Sequence, residues 1–299
     1  MAENGRLQNK IIMVTGATSG IGEATAHNLA AMDATLIIVA RNADKAAATQ
    51  ASIQQQTGSQ PHVLLADLSE QAQIRQLVAH FQAKFDRLDV LVNNAGIFNL
   101  NREESVDGFE MTWATNHLNY FLLTNLLLDS LKASEAARIV NVSSGAHQGG
   151  KIYFDDPNLT ENFSSWKAYS QSKLANVMFT YQLAQRLEGT GISANALHPG
   201  FVRSGFARNN GWFARLLMPI VGLAAISPEK GAETMTYLAS SAEVADVSGK
   251  YFDKKKAVAS SELSYDTAAQ KRLWEMSAEM VGLTKESGQD WSNLSSLES

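Results

Sequence analysis

The 299-residue chain predicts an α/β fold, a doubly wound parallel sheet with helices on both faces, and three observations predict it. Short apolar runs recur along the chain with stretches of helical apolar spacing between them. The first run, Ile11-Ile12-Met13-Val14, is continuously apolar rather than alternating, as a strand buried on both faces of a covered sheet must be. A glycine-rich turn then joins that run to a helical stretch, the junction at which such sheets bind phosphate.

The strands are expected at Ile11–Val14, Leu36–Ala40, Val63–Ala66, Val90–Val92, Ile139–Val142 and Ile192–Leu197, with long helices at Glu23–Met32, Trp113–Leu131 and Trp166–Leu187. Three segments interrupt the alternation. Gly145–Ser164, rich in Gly, Asp and Asn, reads as a loop, and the tail beyond Leu283 as a terminus. Phe201–Ser227 holds Trp212, Phe213 and Met218, which suit either a lid over a substrate or a helix packed on the surface. A single domain over residues 1–299, with its core at about 10–283, accommodates all of this.

Composition narrows the function. With 45% hydrophobic residues the chain can bury a substantial core, and a net charge of −5 gives no electrostatic reason for a nucleic-acid or anionic-membrane partner. The absence of cysteine removes disulfides, thiolate catalysis and cysteine metal sites, and no metal site is expected. Residues 1–10 are polar, so no membrane span is expected and the default location is the cytoplasm.

The turn after the first strand reads Thr15-Gly16-Ala17-Thr18-Ser19-Gly20-Ile21-Gly22. Gly16 permits a tight turn, Gly20 lets backbone approach a pyrophosphate, and Gly22 allows close helix packing. Gly16, Thr18, Ser19, Gly20, Ile21 and Gly22 are therefore candidate cofactor-binding residues. At the end of the second strand, where a carboxylate would take the ribose hydroxyls of NAD, the sequence has Ala40-Arg41-Asn42. A guanidinium there pairs with the 2′-phosphate of NADP, so NADP(H) is the expected cofactor and Arg41 its discriminating residue.

Tyr169 and Lys173 stand four apart near the start of a long helical stretch and so share one face. A phenol with a pKa near ~10 is a poor base at neutral pH, but a neighbouring positive charge lowers that value. With Lys173 and a positive nicotinamide beside it, Tyr169 is expected to accept a hydroxyl proton during oxidation and return it during reduction.

The wide gap between Gly16 and Gly20 resembles the TGxxxGIG turn of the short-chain dehydrogenase/reductase family, whose fold is of the Rossmann type. The resemblance implies further roles. Asp67 and Leu68 would meet the adenine, although Asp67 before Ser69 and Glu70 also suits a helix cap. Asn93-Asn94-Ala95-Gly96 looks like the family's NNAG element, with Asn94 steadying the sheet and Ala95 and Gly96 lining the cofactor pocket. Ser144, ending the fifth strand, would hold the substrate oxygen, with Ser143 as the alternative; Asn116 would hold a water linking Lys173 to solvent, or simply bond helix backbone. Pro199, Gly200 and Val202 would face the nicotinamide, and His117 and His198 are read as structural.

The similarity runs from Lys10 to about Leu283. Blocks at Asn141–His147, Tyr169–Leu187, Leu197–Val202, Ser227–Phe252 and Tyr265–Trp274 resemble the retinol-dehydrogenase-like branch. That implies an oxidoreductase moving hydride between NADP(H) and an alcohol, aldehyde or ketone, apolar or retinoid-like, in a homodimer or homotetramer paired through the Trp113–Leu131 and Trp166–Leu187 helices. Two other uses of the fold are an epimerase or dehydratase, for which the chain after Lys250 is short, and a cofactor-binding sensor, which would not need Asn116, Ser144, Tyr169 and Lys173 together.

Overall fold

The computed structural model describes residues 7–200 and 226–283. The strands are β1 (Ile11–Thr15), β2 (Thr35–Ala40), β3 (His62–Leu65), β4 (Val90–Asn93), β5 (Arg138–Val142), β6 (Ser193–His198), β7 (Tyr251–Asp253) and β8 (Lys256–Val258). They lie side by side in the order β3-β2-β1-β4-β5-β6-β7-β8, parallel as far as β7. The step from β1 to β4 reverses the direction of winding. Ligands of such sheets sit at that switch, beyond the carboxyl ends of the strands.

Alternate residues of each strand feed different cores. Met13, Ile37, Val39 and Ile139 face a core shared with α3 (Gln71–Gln82), α5 (Asn119–Leu126) and α7 (Ser165–Arg186). Ile12, Val14, Leu36, Ile38 and Val140 face the core of α1 (Gly20–Ala30), α2 (Ala43–Thr57) and α8 (Pro228–Ser240). This two-sided burial explains the unbroken apolar runs, since each such side chain contributes about 1.5–3 kcal/mol by leaving water.

Three features depart from expectation. The sheet gains the β7–β8 hairpin, with β8 antiparallel to β7; its strands are three residues long and β8 is exposed, so neither carries a readable apolar run. The segment read as a Gly-rich loop begins with a 3-10 turn at Gly145–Gly149. The helix expected at Trp113–Leu131 is divided into α4 (Met111–Trp113), a π-turn at Ala114–Leu118, α5 and α6 (Leu128–Lys132). A π-turn widens the helix by one residue and turns its side chains off the regular stripe, which helical periodicity does not reveal.

The last helix, α9 (Thr267–Met280), lies across α5 and α7. Trp274 packs on Phe121 and Phe179, with ring centroids 4.9 and 5.7 Å away, and the Arg186 guanidinium stacks 4.2 Å from the indole. Residues Asn119–Asn125 of α5 are all buried within the one chain. The last helix thus covers part of α5 within the chain. Among the described residues no helix is long and apolar enough to cross a membrane.

Candidate active site

Thr15 and Asn94 staple the ends of β1 and β4 at the switch. The Thr15 hydroxyl accepts from the backbone N–H of Asn94 and Ala95 at 2.9 and 3.0 Å, and Asn94 Nδ2 donates to the carbonyls of Thr15 and Gly16 at 2.8 and 3.2 Å. Gly16 and Gly20 have φ of +64° and +58°, a region that L side chains rarely adopt. A Cβ on Gly22 would run into Asn94 Nδ2 and the Gly16 carbonyl, so helix and strand meet at backbone distance. Ser19, extended at the N-terminus of α1, makes no capping hydrogen bond with its side chain. The turn thus leaves its hydroxyl and the first N–H groups of an 11-residue helix for an anion, and these residues fit the pyrophosphate of a dinucleotide.

At the far end of the cradle Arg41, its side chain 70% exposed, reaches Asp67 with Nη1 to Oδ2 at 3.3 Å. Burial alone would raise the Asp67 carboxyl, but hydrogen bonds from the Ser69 N–H and hydroxyl and the Arg41 charge outweigh it and hold it below its ordinary value. Asp67 is thus an acceptor in the turn that precedes α3, whose N-cap is Glu70 rather than Asp67. Leu68 is buried beside it. An exposed pair of this kind is worth about 0–1 kcal/mol, so a phosphate can draw Arg41 away at little cost.

The four expected catalytic residues converge beyond the ends of β4 and β5. Lys173 Nζ donates to the Val142 carbonyl at 3.1 Å and lies 5.7 Å from the centre of the Tyr169 ring. Ser144 hydrogen-bonds the Tyr169 phenol, and its Oγ also accepts from the Ala146 N–H at 3.2 Å. Ser143, the alternative, is turned inward: its hydroxyl is buried and donates to the Lys173 carbonyl. A Cβ on Gly96 would lie 3.2 Å from Asn116 Oδ1 and 3.5 Å from Lys173 Nζ, which marks where those groups meet.

The surroundings of Asn116 and Lys173 add detail here. The Asn116 side chain is committed to protein: Oδ1 accepts from the Ile97 N–H at 2.7 Å, and Nδ2 donates to the Ile97 carbonyl and to Ser172 Oγ, each at 3.0 Å. Its main-chain carbonyl accepts from Asn176 Nδ2 at 2.9 Å. Lys173 does not lower the phenol in the chain by itself. Burial pushes Tyr169 up to about 12, against the opposing Ser144 hydrogen bond, and lowers Lys173 to about 7. Burial thus weakens the charge that Lys173 offers and favours the neutral phenol in the chain alone.

Two histidines hold the serine loop. His147 Nδ1 donates to the Ser144 carbonyl at 2.6 Å while its Nε2 accepts from the Ser261 N–H at 3.2 Å, which fixes one neutral tautomer. His198 Nδ1 accepts from the Gly145 N–H at 3.1 Å, the structural role expected of it. His147 was not legible beforehand, because its partner Ser261 is more than a hundred residues away. Ala95 lies at the switch, Pro199 and Gly200 follow β6 at the same edge, and Val202, Trp212, Phe213 and Met218 lie outside the described residues. Aromatic rings flank the phenol: Phe98 stands edge-on at 5.4 Å and Trp166, 57% exposed, at 6.5 Å between centroids.

The buried amine has a stability consequence. Between about 7, its folded value, and 10.5, its ordinary one, Lys173 binds fewer protons folded than unfolded. Its penalty therefore stands in full below that window and is relieved as pH rises through it. Lys173→Met, which keeps the length and removes the charge, is expected to raise the thermal midpoint at neutral pH by about 2–4 °C while abolishing turnover. A lowered midpoint in calorimetry contradicts this account of the lysine.

The family model described as short chain dehydrogenase matches residues 10–212. The chain is 43% identical to human retinol dehydrogenase 13 over 93% of its own length and 86% of that protein's. Among solved structures it is similar to an uncharacterised protein from Mycobacterium paratuberculosis, at 32% identity and a TM-score of 0.77, covering 94% of this chain and 96% of that one. It is also similar to RhlG of Pseudomonas aeruginosa in its NADP active-site complex, at 30% identity and a TM-score of 0.67, covering 84% of this chain and 97% of that one.

Proposed function

The chain belongs to the short chain dehydrogenase family, in its retinol-dehydrogenase-like branch, and from that premise we propose that this oxidoreductase uses NADP(H) to interconvert an apolar alcohol with its aldehyde or ketone. The observation that carries the reading is the hydrogen bond between Ser144 and Tyr169, one helical turn from a buried lysine. Bound NADPH would supply the hydride. Ser144 Oγ and Tyr169 Oη form two converging donors for one substrate oxygen, and the Tyr169 proton passes to that oxygen as negative charge develops on it. In the opposite direction Tyr169 Oη takes the proton back. Phe98 and Trp166 favour an apolar group on the carbon bearing that oxygen. The test is direct: purified protein with NADPH and a panel of aliphatic, aromatic and polyene aldehydes and ketones should consume nicotinamide absorbance, fastest with the apolar members. No turnover on any of them, with NADPH tightly bound, would refute an enzyme of this kind.

Preference for NADP rests on Arg41 and on the absence of a carboxylate at the end of β2. Arg41→Asp should weaken NADPH binding about 10- to 100-fold, the value of one charge-assisted contact, while NADH binding changes little. Equal losses for both nucleotides would remove Arg41 from this role.

A further inference from the structure

Behind the catalytic lysine runs a buried polar chain that the reaction as described leaves unused. It starts at Ser277 on α9, passes through His117 in the π-turn, and reaches Asn176 on α7; all three residues are 0% exposed. It threads an aromatic cluster, with the His117 ring 4.5 Å from that of Trp113 and 6.3 Å from that of Phe179. Polar groups in such surroundings cost stability unless every one is bonded.

The bonds fix each orientation. Asn176 Nδ2 donates to two carbonyls, that of Asn116 at 2.9 Å and that of Val142 at 3.3 Å. Since carbonyls only accept, the amide cannot be flipped, and Asn176 Oδ1 must be the acceptor of its 3.3 Å bond with His117 Nδ1. His117 Nδ1 therefore carries the proton, Nε2 is the acceptor, and the Ser277 hydroxyl donates to it at 2.8 Å. Burial pushes His117 down to about 3, so this neutral form persists at ordinary pH. The Val142 carbonyl is the one to which Lys173 Nζ donates, and the Asn116 carbonyl belongs to the π-turn, where the change from i+4 to i+5 bonding disturbs the regular supply of donors.

We infer that Asn176, oriented by His117, is a positioning residue for Lys173: it fixes the Val142 carbonyl that the lysine uses and the Asn116 carbonyl of the π-turn beside it. Lys173 is otherwise faced by the rings of Tyr120 on α5, at 5.8 Å, and Tyr169 on its own helix, and among the described residues no carboxylate pairs with it. The inference rests on the proposed reaction, since a positioning residue has meaning only where Lys173 serves catalysis.

Asn176→Leu preserves size and removes both donors. It should lower kcat about 10- to 100-fold while KM and the NADPH dissociation constant stay within about twofold, because neither ligand touches Asn176. Titration of lysine carrying a carbon-13 label at Cε, in nucleotide-free protein, should show Lys173 moving to higher pH, because both lone pairs of the Val142 oxygen become free for the ammonium. His117→Phe keeps the ring among its aromatic neighbours and frees the Asn176 amide, so it should reproduce the kcat loss even if the Asn176 variant does not fold. His117→Gln, whose amide both donates and accepts, should recover most of it. Wild-type kcat and an unmoved lysine titration in Asn176→Leu and His117→Phe would overturn the inference. A wild-type protein without turnover would instead defeat the reaction itself.

Discussion

Tyr169→Phe is expected to lower turnover by about 10³-fold or more while leaving NADPH affinity unchanged. The substitution removes one oxygen. The ring remains to pack edge-on against Phe98 and beside Trp166, so the mouth of the site and the helix that carries it keep their shape. What is lost is the partner of Ser144 and the proton due to the substrate oxygen. Because burial holds the phenol at about 12 in the chain alone, the protonated form predominates at neutral pH, the state that carbonyl reduction requires. The phenol itself should accordingly impose no pH dependence on reduction through neutrality in the wild type. Alcohol oxidation needs the phenolate and should rise with pH. Initial rates in both directions, measured from pH 6 to about 10 for the wild type and at neutral pH for the variant, check both statements.

Gly22→Val should have the second large effect, on binding rather than on chemistry. Even the first added carbon would overlap the Asn94 amide and the Gly16 carbonyl, and neither can retreat, since Asn94 is stapled to the carbonyls of Thr15 and Gly16. The turn must open, which costs about 1–3 kcal/mol of stability or more and moves the N–H groups that face the pyrophosphate. We expect NADPH affinity to fall at least about 100-fold, with a lower denaturation midpoint. Gly149→Ala is the control: its added carbon meets nothing within 4 Å, and both quantities should hold. Unchanged nucleotide binding in Gly22→Val would show that the turn is not the cradle.

The parts of this protein that could be read from its sequence are those in which local pattern and global role coincide. Ile12 and Met13 face opposite cores, so a strand buried on both sides had to be continuously apolar. Gly16 and Gly20 occupy backbone conformations that suit glycine, and Tyr169 and Lys173 share a face because helical spacing requires it. What stayed hidden depends on distant partners or on compensation between neighbours. The break of the Trp113–Leu131 helix is not written in its apolar spacing, and Asn116 in the π-turn bonds Ile97, nineteen residues earlier. His147 looked like any polar residue in a loop until Ser261 and Ser144 bracketed it. Nor does spacing show how dry the surroundings of Tyr169 and Lys173 are, and that burial is what raises the phenol and lowers the amine in the chain alone. The packing of Trp274 on Phe121 likewise joins residues far apart along the chain.

The central claim is that this chain moves hydride between a nicotinamide and a carbonyl carbon, with Tyr169 moving the proton. The most direct test uses NADPH deuterated on the transferred face of the nicotinamide, an apolar aldehyde accepted in the substrate panel, and mass spectrometry of the alcohol formed. One deuterium per product molecule, fixed on the carbinol carbon and not exchangeable with water, is the predicted result, with Tyr169→Phe forming almost none of it. Product alcohol lacking the label, or labelled product formed equally well by Tyr169→Phe, would contradict the account.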